Sequence, residues 1–175
     1  QGHSAVRKAL AAKSPRLRAA GALAVGAMAP DAAPLAPHLI PLMSDPVHGV
    51  RYRGLEAIAR VPVDCERFEG TLRDQLDDPL PVVRVHAARG LVRHCLDGFA
   101  AGPVFVACLD VDDTVVRLRA LEALRGIDPV PAGAEAAILV CLADRDPVIR
   151  REAIGTMSHV APQSPEFAAR LEKLL

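Results

Sequence analysis

Apolar positions along this chain repeat every 33 residues, in several columns at once. Leu17, Val50, Val83, Val116 and Ile149 form one column. Four residues on stand Gly21, Gly54, Ala87, Ala120 and Ala153, and four further on Val25, Ile58, Leu91, Leu124 and Met157. A spacing of four puts all three columns on one face of a helix, termed helix B. Upstream, Val6, Leu39, Leu72, Phe105 and Ile138 lie four residues before Leu10, Met43, Leu76, Leu109 and Leu142, which marks an earlier helix A; Leu171 and Leu175 continue these two columns. Strand-like alternation is absent. The pattern predicts an all-α chain of about five helical hairpins and a trailing helix. No hairpin can bury its apolar face alone, so the hairpins must stack.

The turns carry matching signals. Ser14-Pro15, Asp45-Pro46, Asp78-Pro79, Asp113 and Asp146-Pro147 precede each helix B. Ser and Asp accept hydrogen bonds from the free amides of a helix start, and Pro fits the first helical position. Pro, Gly and Asp also punctuate the links from B to the next A. The predicted hairpins cover about 4–30, 34–62, 67–96, 103–128 and 134–161, with the trailing helix at 165–175. Residues 4–175 are expected to form a single domain. Gln1-Gly2-His3 resembles the remnant of a cleavable expression tag and is set aside.

At residues 142–153 the repeat has a familiar form: Leu142-Ala143-Asp144-Arg145-Asp146-Pro147-Val148-Ile149-Arg150-Arg151-Glu152-Ala153 resembles the HEAT repeat core. Pro41, within Leu39-Ile40-Pro41-Leu42-Met43-Ser44-Asp45-Pro46, resembles the mid-helix proline often seen in that family. The short period resembles bacterial HEAT-like repeats, also found in phycobilin lyases. The resemblance implies a right-handed α-solenoid whose B helices line a concave surface, and such a repeat chain is expected to be a non-catalytic protein-binding scaffold. By analogy alone, the family also offers a chromophore-lyase-like or enzyme-regulatory role.

An arginine marks each repeat at Arg18, Arg51, Arg84, Arg117 and Arg150. Its planar fork of donors suits turn carboxylates and carbonyls, and Asp45, Asp78, Asp112 and Asp144 stand near. A structural ladder is expected, in agreement with the Asp/Arg ladder that the resemblance implies.

Function is expected instead where the repeats disagree. Two, five and nine residues beyond each arginine, the third, second and fourth repeats offer His86, Arg89 and Arg93; Arg53, Glu56 and Arg60; and Arg119 and Glu122. The first repeat has Ala20, Leu23 and Ala27, and the last has Glu152 and His159. Formal net charge is zero. Acidic residues such as Glu66, Glu69, Asp74, Asp77, Asp110 and Asp112 concentrate in the A helices and turns. The expected partner is therefore another protein, or an acidic peptide segment, on a basic B-helix surface. Nucleic acid is the alternative ligand of the same groove. It is the weaker fit, because aromatic content is 3%, with one Tyr and no Trp, and base-stacking platforms need aromatics.

No 18-residue apolar run suggests a membrane span. No cofactor, metal or catalytic motif is expected: the six histidines form no HExxH, and no phosphate-binding glycine loop or nucleophile signature is present. Cys65, Cys95, Cys108 and Cys141 fit no zinc or redox spacing and are expected as reduced thiols of a cytoplasmic protein, Cys65 in a loop. Leu171, Leu174 and Leu175 on the last helix suggest a longer solenoid or self-association through that end, against a role for this helix as the solenoid's cap.

Overall fold

The computed structural model describes residues 2–173. Among them are eleven α-helices and no strand. The chain divides into two compact units, Gln1–Asp97 and Gly98–Leu175.

In the first unit, α1 (Gly2–Leu10) pairs with α2 (Pro15–Met28), α3 (Ile40–Met43) with α4 (His48–Ile58), and α5 (Cys65–Asp74) with α6 (Pro81–Cys95). The second member of each pair is a helix B, and α4 packs on both α2 and α6. In the second unit, α7 (Gly98–Cys108) packs on α8 (Thr114–Leu124), and α10 (Pro147–Val160) packs on both α8 and α9 (Ala134–Cys141). The trailing helix α11 spans Pro165–Glu172, with Phe167 buried and Leu171 half-buried. Leu174 and Leu175 lie outside the described residues.

The apolar columns form the cores. Val50, Val83, Val116 and Ile149 are buried, as are Leu39, Leu72, Phe105 and Ile138 from the A helices. Leu17 is the exception at 54% exposed. Among the described residues, the B helix packed on its helix α2 is α4. The small-residue column serves close approach. A Cβ on Gly21 would stand 2.9 Å from the backbone nitrogen of Leu10.

Three local expectations need correction. Helix A of the second repeat is not continuous. Pro37 and Pro41 lack N–H donors, so the segment runs as a 3-10 helix, Ala33–Leu39, followed by the single turn of α3. Second, Asp45 and Asp78 do not sit at the cap positions. Their carboxylates accept from Val47 N (2.9 Å) and Leu80 N (2.9 Å), and the helices begin after those residues. Asp113 and Asp146 do cap, accepting from Val115 N (2.9 Å) and Val148 N (2.8 Å). Ser14 makes no side-chain capping bond.

The third correction concerns the cysteines. Cys65 is not in a loop but opens α5, Cys95 closes α6, and the two form a disulfide. Antiparallel pairing brings the start of helix A beside the end of helix B. Comparison of equivalent repeat positions, 33 apart, cannot reveal a pair separated by 30. Cys108 and Cys141 are buried thiols.

Candidate binding surface

The five repeat arginines make the same first contact. Nη1 donates to the carbonyl six residues back: Arg18 to Ala12 (3.0 Å), Arg51 to Asp45 (2.9 Å), Arg84 to Asp78 (2.8 Å), Arg117 to Val111 (2.7 Å) and Arg150 to Asp144 (2.8 Å). Three of them also reach a carboxylate 27 residues ahead. Arg18 Nε lies 2.7 Å from Asp45, Arg51 Nε 2.7 Å from Asp78, and Arg117 Nε 3.0 Å from Asp144. Each aspartate therefore holds its own turn and receives the preceding repeat's guanidinium. Burial pushes the Asp45 carboxyl up. The Arg18 hydrogen bond, the Val47 amide and the charges of Arg18 and Arg51 outweigh it, so the net shift is below the ordinary range. The bond to Asp45 raises Arg18 further still.

Asp112 does not belong to this set. It is 81% exposed and pairs with Arg145, reaching Arg117 only at 4.0 Å. The equivalent position is Val111, whose side chain has no carboxylate to offer.

On the B helices of the first unit, Glu56 accepts from Arg53 (2.6 Å) and Arg60 (3.2 Å). The Arg53 guanidinium also lies 4.8 Å above the Tyr52 ring. Tyr52 in turn meets His86 edge-on, with ring centroids 5.1 Å apart. His86 is 3% exposed. It is therefore a packed residue between α4 and α6, not part of the exposed surface expected for it. Arg89 is half-buried and Arg93 exposed. Arg93 and His94 line a surface recess of about 440 Å³ with Pro62 and Val63. His94 Nε2 meets the Ile58 carbonyl at 2.8 Å. Burial lowers the His94 pKa, the Ile58 carbonyl works against that, and the Arg93 charge adds to it. Arginine thus predominates at the predicted positions: Arg53 of α4, Arg60 just beyond its end, and Arg89 and Arg93 of α6.

The second unit is more balanced. Arg119 pairs with Glu122 at 2.8 Å. Glu152 pairs with Arg125, which was not among the expected residues. Arg125 lies across α10, donating to Thr156 Oγ1 (3.3 Å) and the Glu152 carbonyl (3.3 Å). Thr156 Oγ1 in turn lies 3.1 Å from the Leu121 carbonyl. Gly155 makes room: a Cβ there would be 2.6 Å from Arg125 Nη2. The only sequence signal was this arginine in a column otherwise filled by Gly26, Ala59, Val92 and Ser158. Exposed His159 Nδ1 turns back to the Gly155 carbonyl at 2.8 Å.

Among the described residues, no three His, Cys, Asp or Glu side chains are placed to share a metal ion. No helix among them is long and apolar enough to cross a membrane. Burial, with the Asp144 charge, pushes the Cys141 thiol up to about 11, so it is protonated at neutral pH and a poor nucleophile.

Neither a protein-family model nor a curated protein sequence matches the chain. Solved helical-repeat structures do. An engineered protein is similar with a TM-score of 0.72 and 18% identity, over 99% of this chain and 86% of that one. A designed armadillo repeat protein in complex with the peptide (KR)4 is similar with a TM-score of 0.68 and 16% identity, over 99% and 87%. A computationally designed armadillo repeat protein for modular peptide recognition has a TM-score of 0.62 and 16% identity, over 96% and 86%. The likeness shows the fold, an α-solenoid of helical repeats.

Proposed function

We propose that this chain is a non-catalytic scaffold that binds an acidic protein segment on the B-helix surface of its first unit. The observation that carries this reading is the predominance of arginine at Arg53 of α4, Arg60 just beyond its end, and Arg89 and Arg93 of α6, with Glu56 paired to Arg53 and Arg60 and Arg93 exposed. Arginine suits the task, because its fork of donors pairs two-to-one with carboxylates and loses little hydration on binding. The flanking Leu23 of α2 is exposed and adds an apolar contact. In the second unit, the predicted positions Arg119, Glu122, Glu152 and His159 carry little net charge.

A solenoid of similar fold holds the basic peptide (KR)4. The arginines of α4 and α6 would repel such a peptide, so the partner of this chain carries the opposite sign. The HEAT-like assignment rests on the Asp-Pro turns and the arginine column. Base stacking on Tyr52 is disfavoured, since its ring is already engaged by His86 and Arg53.

Fluorescence anisotropy with labelled octaglutamate and (KR)4 peptides and a single-stranded DNA tests the reading. Octaglutamate should bind, with affinity falling as salt rises. The double variant Arg60→Glu, Arg93→Glu, at two exposed positions, should abolish binding without lowering the melting temperature. Unchanged binding by that variant refutes the surface, and tighter binding of DNA than of octaglutamate refutes the partner.

A further inference from the structure

Cys65 and Cys95 are both half-buried at the surface, whereas Cys108 and Cys141 are buried. Their Cα atoms lie 5.1 Å apart, inside the range of roughly 4.4–6.8 Å that a disulfide spans. Joined, they tie the Pro62-Val63-Asp64 segment, which leads into α5, to the last turn of α6. That turn carries Arg93, and the recess lined by Pro62, Val63, Arg93 and His94 lies across the same gap. Non-covalent ties at this end include His94 on the Ile58 carbonyl, and Arg73 on Asp97 at 2.5 Å. Beyond Cys95, Leu96 adopts φ 53°, the left-handed region that a leucine occupies only at a cost. The end of α6 is thus held in place by its surroundings rather than by its own preference.

We propose that Cys65 and Cys95 form a reversible thiol–disulfide site. Oxidised, it locks the end of α6 and with it the Arg93 side of the binding surface. Reduced by a small thiol of the glutathione class, it releases both. The exchange balances. A first thiolate attacks one sulfur of the Cys65–Cys95 bond and forms a mixed disulfide, while the other cysteine leaves and takes up a proton. A second thiol then resolves the mixed disulfide, giving two cysteine thiols and one disulfide of the small thiol. Cys108 and Cys141 take no part because burial bars the attacking thiol. The link to Arg93 rests on the binding surface proposed above; the thiol chemistry does not.

The test equilibrates the full chain in glutathione buffers, from oxidised to about 100:1 reduced, and traps thiols with iodoacetamide. Peptide mass should show Cys65 and Cys95 unmodified in oxidised buffer and both alkylated in reduced buffer. Amide exchange at residues 92–97 should then rise by about tenfold on reduction. Octaglutamate binding should weaken by about threefold, and the variant Cys65→Ser, Cys95→Ser should match the reduced wild type in both buffers. Alkylation of both cysteines in oxidised buffer, a bond that survives the most reducing buffer, or unchanged exchange at 92–97 would each overturn the site. Should exchange respond while octaglutamate affinity stays constant, the link to the surface is overturned. Should octaglutamate bind neither state, the binding surface fails, and alkylation and exchange judge the thiol site alone.

Discussion

Asp78 receives Arg51 from the preceding repeat, with Arg51 Nε 2.7 Å from Oδ2, and at the same time closes its own turn by accepting from Leu80 N at 2.9 Å. One carboxylate thus fastens two hairpins and shapes the entry to α6. Asp78→Ala removes both contacts and leaves a half-buried guanidinium with carbonyl partners only. It should destabilise by about 2–3 kcal/mol in urea unfolding. Arg51→Ala should cost less, because Asp78 keeps the Leu80 amide. The double-mutant cycle should return a coupling of about 1 kcal/mol. Arg84→Ala should cost less again, since Arg84 donates to the carbonyls of Asp78 (2.8 Å) and Pro79 (3.2 Å), and the residue 27 positions ahead is Val111. A larger loss at Arg84 than at Arg51 would contradict this ranking.

Acid should loosen the Arg18–Asp45 contact in a defined direction. The Asp45 carboxyl ionises below its ordinary range in the folded chain. Its contribution to stability is therefore fully present above the unfolded carboxylate value of about 3.9, and is lost as pH falls through the lower folded value. Asn at this position keeps an oxygen for the Val47 amide but carries no charge. Asp45→Asn should melt a few degrees lower than wild type at neutral pH, by about 2–5 °C, with the gap closing below about pH 4. A gap that stayed constant down to pH 2 would show that the charge contributes nothing.

How much of this was legible in the sequence follows from what repetition can encode. The columns through Val50, Leu72, Leu91 and Ala120 identify helix faces, and burial confirms them, because stacked copies reuse the same contacts. Contacts that break the repeat are invisible to that method. Cys65 and Cys95 occupy different repeat positions and meet only because α5 and α6 run antiparallel. His86 stands in a column read as outward. A single non-repeated aromatic, Tyr52 of the neighbouring helix, helps to cover it. Asp45 and Asp78 looked like helix caps because Asp-Pro precedes a helix. Each carboxylate is instead shared between its own turn and the arginine 27 residues back, and the helix begins three residues later, at His48 or Pro81. The surface charge was visible, but its internal pairing through Glu56 and Arg125 depended on side-chain reach across a face.

Two glycines at helix interiors should respond in opposite ways to alanine. Gly to Ala within a helix normally gains about 1 kcal/mol from backbone entropy. At Gly21 the new Cβ meets rigid neighbours, the Leu10 nitrogen at 2.9 Å and the Ala9 carbonyl carbon at 3.2 Å. α1 would have to shift off α2, and overpacking of this kind costs about 1–3 kcal/mol, so Gly21→Ala should lower stability. At Gly155 the Cβ meets the end of a flexible chain, Arg125 Nη2 at 2.6 Å. Arg125 can swing toward solvent, giving up contacts that are only partly buried and worth about 1 kcal/mol or less. Gly155→Ala should therefore be neutral or stabilising. In an Arg125→Ala background nothing needs displacing, and the same substitution should gain the full helix increment. Urea unfolding of the four chains, wild type, each single variant at 125 and 155, and the double, measures the difference. Equal effects of Gly155→Ala in both backgrounds would mean that Arg125 does not lie across α10 in solution.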